Sequence, residues 1–426
     1  MQQNFLLAYQ SFKKFFLSPY FNTKIIINAF FIAFLLSLHI FFEQFNLSFW
    51  PAHTLVSLLG FYLLIKSNKN ELFYIGFFIA LLWFYWIGFS FKYYGLGFLA
   101  PFITLFIALA YGVIFWICGV FNSLYIRALL LFSVSFITPF GFNWLDFRLL
   151  LLNTPFKASF LSLFLIFFST VLMLRVKKWW RFLTPVLHLF ALNFDNVKSN
   201  ETFLDIKIVS SFIDQSKKWN HKFLNEQVEL VFNEIQKGID EGRDLILFPE
   251  SALPLFLNLN GSLMDALKAH SNHISIVIGS LYKSDEGAYN TAYHFENGEV
   301  TYAHKVILVP FGERVPLPKF LTDLINRYFF FGASDFLTSN TPTDFLIKGK
   351  KARSAICFEA TKSELFEGNP NFMLAMSNNA WFTPSTQPAL QKRVLKLYAT
   401  LYKTTIYHSV NGAKGGVIAP ISSLFH

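Results

Sequence analysis

The chain has 426 residues, of which 54% are hydrophobic and only 15% are charged. An average soluble domain carries about 25% charged residues, and the apolar runs at 25–36 and 160–174 leave no polar face for water. An ordinary soluble protein is therefore excluded, and lipid is the expected solvent for the first half. The formal charge of +10 comes from basic residues spread through loops without a nucleic-acid-binding motif, so we expect no nucleic acid partner.

The first half predicts seven membrane spans, because a span needs about 20 apolar residues. They are expected near 24–42, 49–66, 72–91, 97–121, 127–140, 157–174 and 182–198. Most lysines and arginines of the connecting segments fall on one side of this arrangement, which the positive-inside rule assigns to the cytoplasm. An odd number of spans then places the rest of the chain on the extracytoplasmic face.

The polar half predicts an α/β domain. From about residue 204, short apolar runs alternate with helical patterns, which is typical of helices packed on sheets. The expected strands are 203–209, 245–248, 274–278, 352–357 and 372–376, with an amphipathic helix at 219–237. We therefore predict a transmembrane bundle at 1–200 and a separate domain at 201–426.

Three segments of the polar half each place a reactive side chain directly beside an apolar run. Leu-Ile-Leu-Phe-Pro-Glu delivers Glu250, Lys305 precedes a Val-Ile-Leu-Val run and a Gly turn, and Ser-Ala-Ile-Cys-Phe-Glu delivers Cys357. Taken singly, these are typical of a cap or salt-bridge partner, a solvated lysine and an inert buried cysteine. Together, a carboxylate, an ammonium and a thiol supply a base, an oxyanion partner and a nucleophile.

This Glu–Lys–Cys order resembles the nitrilase superfamily. A multi-span region before such a domain is more narrowly similar to the apolipoprotein N-acyltransferase family. The motifs that carry this likeness are Phe-Pro-Glu-Ser, Val-Pro-Phe-Gly-Glu, Ile-Cys-Phe-Glu, Ser-Asn-Asn-Ala-Trp-Phe at 377–382, Gly-Phe-Asn-Trp at 141–144 and Gln-Ser-Lys-Lys-Trp at 215–219. The resemblance covers nearly the whole chain and implies an α-β-β-α sandwich for the polar half.

The resemblance also implies a reaction and roles for particular residues. A fatty acyl chain would pass from a membrane phospholipid to the N-terminal amine of diacylglyceryl-cysteine in lipoproteins, at a bacterial inner membrane and without a cofactor or metal. Glu250 would be the general base, Lys305 would stabilise the oxyanion, and Cys357 would form a thioester. Further residues would support the triad or line the substrate site: Glu313, Glu359, Trp144, Trp219, Phe358 and Trp381.

The chain departs from the family's pattern in several places. Asn379 stands where an acidic residue is common, and the charged residues usual in the following helix are replaced around Thr400, Lys403 and Tyr407. The family usually continues with more strands and a last membrane helix, so we expect a short C-terminus here. The aromatic run at 329–331 fits either an interfacial loop or a core-facing helix end.

Three other functions remain open from the sequence. A membrane-tethered amidase would use the same triad, but it needs at most one anchor. A transporter would need paired intramembrane charges, which the predicted spans lack. A catalytically inactive homologue is compatible with the short C-terminus. Thioester formation at Cys357 distinguishes these functions.

Overall fold

The computed structural model describes residues 22–195, 204–310, 312–313 and 336–424. Phe203, at the start of the first predicted strand, and the aromatic run at 329–331 lie outside these residues. Within them, the apolar half forms α-helices joined by short 3₁₀ segments. The α-helices are α1 (Thr23–Gln44), α2 (Trp50–Lys66), α3 (Lys69–Phe84), α4 (Ala100–Cys118), α5 (Leu124–Ser133) and α6 (Phe160–Arg175).

Three helical segments of the described chain are long and apolar enough to cross a membrane. They are Thr23–Gln44, Lys69–Tyr94 and Gly97–Cys118. The second of these combines α3 with the 3₁₀ helix Tyr85–Tyr94, which continues it beyond Phe84. The number of seven spans and the division at residue 200 remain predictions.

Two predicted spans differ from the helices observed. The predicted 127–140 helix ends at Phe136, and a separate 3₁₀ turn begins at Pro139. Proline lacks an N–H and disfavours helical geometry in the residue before it, so Pro139 stops the helix. In place of 182–198, a 3₁₀ helix runs over Lys178–Ala191 and contains Pro185.

The described residues of the polar half form two β-sheets. The first has the order β1-β3-β4-β5-β6, and the second has the order β11-β10-β9-β8-β7 with β2 also paired to β10. The strands of the first are β1 (Ile206–Ile208), β3 (Leu245–Leu247), β4 (Ser275–Lys283), β5 (Ala288–Glu296) and β6 (Glu299–His304). Those of the second are β2 (Ser210–Ser211), β7 (Asp344–Ile347), β8 (Lys350–Ile356), β9 (Phe372–Asn378), β10 (Thr405–Asn411) and β11 (Gly416–Ile418).

The two sheets face each other and carry helices on their outer faces. Leu247 and Val277 of the first sheet share one apolar core with Leu374 and Met376 of the second. The outer faces are covered by α8 (Leu224–Asp240) and α9 (Gly261–His270) on one side and by α10 (Gln387–Tyr402) on the other. The predicted α-β-β-α sandwich is thereby confirmed.

The helix predicted at 219–237 begins later than expected. A short helix, α7 (Gln215–Lys218), precedes Trp219, and α8 starts only at Leu224. Between them, the side chain of Asn220 accepts a hydrogen bond from the Lys222 N–H and caps a 3₁₀ turn. Local capping by asparagine, which periodicity does not report, replaces the first turn of the predicted helix with this separate 3₁₀ turn.

Helix α10 joins the sandwich to the membrane bundle because both of its faces are buried. Leu395 and Ala399 pack beneath the second sheet. Leu390 and Val394 belong to the same apolar cluster as the helices of the bundle. The position of the second sheet relative to the bundle therefore depends on this helix.

Close packing of α3 against α4 generates a stability prediction. A Cβ added at Gly76 would lie 2.5 Å from the Tyr111 carbonyl oxygen and 2.7 Å from Phe115 Cβ. We expect Gly76→Ala to lower the free energy of unfolding by about 1–3 kcal/mol, because the helices must separate to admit the methyl group. Thermal unfolding in detergent measures this effect.

The matched control is Gly97→Ala, where the nearest heavy atom to the new Cβ is Lys92 Cα at 3.5 Å. This variant should unfold at nearly the wild-type temperature. Equal unfolding temperatures for the two variants would contradict the close approach at Gly76.

Candidate active site

Glu250 follows β3 and lies at the centre of a buried cluster of polar side chains. Its Oε2 accepts a hydrogen bond from the backbone N–H of Asn378 at 2.9 Å. Its Oε1 accepts one from Asn290 Nδ2 at 2.8 Å. The side chain is only 9% exposed, so these donors take the place of water around the carboxylate.

Lys305 follows β6 and points between two carboxylates. Its Nζ lies 2.7 Å from Glu313 Oε2 and 3.6 Å from Glu250 Oε1, and the side chain is completely buried. Burial alone lowers the pKa of Lys305, but the carboxylates of Glu313 and Glu250 outweigh it and raise the pKa. The ammonium is therefore charged at neutral pH.

Glu313 is held in turn by two further donors. Asn290 Nδ2 donates to its Oε1 at 3.0 Å, and the Val309 N–H donates to its Oε2 at 2.9 Å. The amide of Asn290 thus bridges Glu250 and Glu313, which fixes both carboxylates relative to Lys305.

Cys357 follows β8 in a strained turn. Its φ is +60°, in the left-handed region that costs a non-glycine residue about 1–2 kcal/mol. Glu359 stabilises the turn by accepting the Ile356 N–H at 2.7 Å. The same carboxylate accepts the N–H groups of Val306 and Ile307 at 2.8 and 3.1 Å, which ties the cysteine turn to the segment that follows Lys305.

Two groups in this turn have raised pKa values. Burial raises the pKa of Glu359 to about 7, although Lys305 and the three backbone N–H groups oppose the shift. Burial, reinforced by the carboxylates of Glu250 and Glu313, raises the pKa of the Cys357 thiol, while Lys305 and the Asn378 N–H act in the opposite direction. The free thiol is therefore protonated at neutral pH and needs a base before it can act as a nucleophile.

Phe358 places the cysteine turn against the membrane bundle. Its ring stacks on Phe142 with centroids 5.6 Å apart. Trp144 packs against the same ring at 6.4 Å and donates from Nε1 to Thr361 Oγ1 at 3.0 Å. Trp144 is only 2% exposed, so it lies inside the joint between the two parts of the chain.

The two other tryptophans that were predicted to lie at the substrate site, Trp219 and Trp381, do not contact Phe358 in this way. Trp219 is 42% exposed at the end of α7. Trp381 stacks on Tyr94 with centroids 5.7 Å apart and meets Tyr93 edge-on. The structure thus brings together the five predicted charged and thiol residues, whereas substrate contacts of the aromatic residues remain predictions.

Two asparagines of the site were not predicted from the sequence. Asn290 bridges the carboxylates from the interior of β5, where asparagine is unfavourable, and that anomaly is a signal that could have identified it. Asn378 donates its backbone N–H to Glu250, and its side chain is held by Gln215 at 2.8 Å and Asn411 at 2.9 Å. No local pattern reveals this second arrangement, because it joins three distant segments.

Two facing sheets that bring a buried Glu–Lys–Cys set to one place define a nitrilase-like α/β domain, here packed on an integral membrane domain. Residues 23–194 match the family model described as "Apolipoprotein N-acyltransferase integral membrane domain". The chain is 39% identical to the apolipoprotein N-acyltransferase of Wolinella succinogenes, over 92% of this chain and 95% of that protein. It is 36% identical to the one from Helicobacter pylori, over 86% of each chain. The chain belongs to the apolipoprotein N-acyltransferase family and is an acyltransferase.

A more distant likeness is found among solved structures. A CN-hydrolase superfamily protein from Xanthomonas campestris is 13% identical with a TM-score of 0.37, covering 49% of this chain and 76% of that one.

The raised pKa of the Cys357 thiol predicts how its alkylation depends on pH. In a Cys118→Ser background, where Cys357 is the remaining cysteine, the rate of alkylation by iodoacetamide should rise about tenfold per pH unit from 7 to 9, because the thiolate fraction grows by that factor below the pKa. Mass spectrometry of quenched samples gives the rate. Restricted access of the reagent would slow the reaction without changing this slope, and a rate that levels off below pH 9 would contradict the raised pKa.

Proposed function

We propose that this chain transfers a fatty acyl chain from a membrane phospholipid to the N-terminal amine of diacylglyceryl-cysteine in lipoproteins, through a thioester on Cys357. The observation that carries this proposal is the convergence of Glu250, Lys305 and Cys357 on one buried site beside an integral membrane domain. The relatives in Wolinella succinogenes and Helicobacter pylori are named for the same activity.

In the first step, Glu250 takes the proton from the Cys357 thiol, and the sulfur attacks the carbonyl carbon of a phospholipid ester. The charge that develops on the carbonyl oxygen is met by the Lys305 ammonium, and a preorganised donor of this kind contributes about 3–4 kcal/mol to the transition state. The C–O bond then breaks, the departing lysophospholipid takes the proton from Glu250, and a thioester remains on Cys357.

In the second step, the α-amine of the lipoprotein attacks the thioester carbonyl. Glu250 accepts a proton from the amine and returns it to the leaving Cys357 sulfur, so the amide forms and the thiol is regenerated. Because the two substrates use one site in turn, ping-pong kinetics are expected.

The membrane bundle is consistent with two lipid-anchored substrates. Moving an acyl chain out of the bilayer costs about 0.8 kcal/mol for each CH₂. A site packed against membrane helices lets both substrates enter sideways from the lipid. An amidase acting on small amides has no comparable need for such a bundle.

The thioester itself is the direct test. The purified protein in phospholipid micelles should acquire one fatty acyl adduct on Cys357 that hydroxylamine removes and that a diacylglyceryl-cysteine peptide discharges as an amide. Peptide mass spectrometry locates the adduct. Cys357→Ala should abolish it.

Two further variants test the proposed roles. Glu250→Gln should slow adduct formation by about 10²–10⁴-fold as the loss of a base, and Lys305→Met by about 10²–10³-fold as the loss of an oxyanion donor. If the protein hydrolyses small amides and forms no lipid adduct, it is an amidase and the proposed acyl transfer is wrong. If the folded protein catalyses neither reaction, it is an inactive homologue.

We further propose that the protein lies in the bacterial inner membrane with its catalytic domain on the periplasmic side. This proposal is supported by the distribution of lysine and arginine along the apolar half. A cysteine introduced at exposed Asp265 of α9 should react with a membrane-impermeant maleimide in intact spheroplasts. A cysteine at exposed Lys66, at the end of α2, should react only after lysis. The reverse labelling pattern would show that the catalytic domain lies on the cytoplasmic side.

A further inference from the structure

A charged cluster joins the end of a membrane helix to the catalytic domain at a distance from the catalytic residues. Glu43 lies in the last turn of α1, and its side chain is 4% exposed. Lys396 of α10 donates to both of its oxygens at 2.7 Å. Lys392 lies 3.1 Å and Arg393 3.7 Å from the same carboxylate.

The cluster carries more positive than negative charge. One carboxylate faces three cations, so two formal positive charges remain uncompensated. Arg393 is completely buried and donates to the carbonyl oxygens of Leu149 and Leu152. The cations that reach the surface are Lys392 and Lys396, whose side chains are 38% and 23% exposed.

Lys396 illustrates the local excess of cations. Its pKa is lowered, first by burial and also by Lys392 and Arg393, even though Glu43 acts in the opposite direction at 2.7 Å. A second anion near these lysines would therefore be favourable.

The two lysines lie at the depth where lipid headgroups are expected. Helix α1 has 22 residues, which correspond to about 33 Å, close to the roughly 30 Å of a bilayer's hydrocarbon core. Its end is followed by large apolar side chains that are 46–69% exposed: Phe45, Leu47, Phe49 and Trp50. An exposed aromatic and aliphatic segment beside basic residues is typical of the membrane interface.

We propose that Lys392 and Lys396 bind the phosphate group of a membrane phospholipid at the outer end of α1. The phosphate complements the two exposed ammonium groups as a second anion beside Glu43, while Arg393 stays paired inside. This site anchors α10, and with it the second sheet, to the lipid surface. It does not depend on the proposed acyl transfer, because binding is measured separately from the reaction.

Binding to the delipidated full-length protein tests the proposal. In native mass spectrometry from detergent, phosphatidylglycerol should bind more tightly than diacylglycerol, which lacks the phosphate. Lys392→Gln combined with Lys396→Gln should weaken phosphatidylglycerol binding about 30-fold, since each lysine near the interface contributes about fivefold. The control is Lys403→Gln, an exposed lysine at the end of the same helix without an ion pair among the described residues, which should change nothing.

Glu43→Gln separates this proposal from a purely structural role. Removing the carboxylate frees both lysines for the phosphate, so phosphatidylglycerol affinity should increase several-fold. If the cluster only joins the two domains, Glu43→Gln lowers the unfolding temperature and leaves lipid affinity unchanged or reduced, which overturns the proposal.

Inorganic phosphate is the remaining arm of the experiment. We expect it not to displace the lipid at millimolar concentration, since it lacks the acyl chains that hold the phosphate at the interface. Displacement that requires Lys392 and Lys396 would identify a free-anion site and overturn the assignment to a phospholipid.

Discussion

The burial of the Lys305 ammonium is the constraint on which the site depends. An unpaired ammonium in the protein interior costs several kcal/mol, so the completely buried Nζ needs the carboxylates at 2.7 and 3.6 Å. Those carboxylates need donors of their own, which Asn290 and the backbone of Val309 and Asn378 supply. The partners come from the interior of β5, the end of β9, the turn after β3 and the segment after Lys305. The two sheets must therefore be in register before the charges are satisfied, which couples the position of the Glu250 carboxylate to the fold of the whole sandwich.

The contacts between the sandwich and the membrane bundle also fix the position of the site relative to the bundle. Helix α10 packs beneath the second sheet on one face and against the bundle on the other. The ring of Phe358, adjacent to Cys357, stacks on Phe142 of the segment between α5 and α6. The cysteine turn consequently has a fixed position relative to the bundle. This geometry is consistent with the proposed acyl transfer between substrates that stay in the bilayer, because it holds the cysteine turn against apolar side chains of the bundle.

Much of the fold followed from local patterns, and the errors have local causes. The strand predicted at 245–248 was confirmed, because an unbroken apolar run identifies a strand buried on both faces. The helix predicted at 219–237 was wrong in its first turns, where Asn220 caps a separate turn. The sequence did not predict that Trp144 would be buried against Phe358. Hydropathy gives the preference of a side chain for apolar surroundings but does not distinguish lipid from a protein interior.

The sequence by itself determined the kinds of groups present and their order along the chain. A carboxylate, an ammonium and a thiol beside three apolar runs indicate the proposed acyl-transfer chemistry. The long apolar segments indicate that lipid surrounds the first half of the chain. Only the tertiary structure decided which distant groups meet: Asn290 with two carboxylates, Asn378 with Glu250 across 128 positions, and Glu43 with Lys396 across 353 positions. Local sequence encodes burial and periodicity over a few residues, whereas the pairing of charges depends on how sheets and helices stack, a property that no single segment contains.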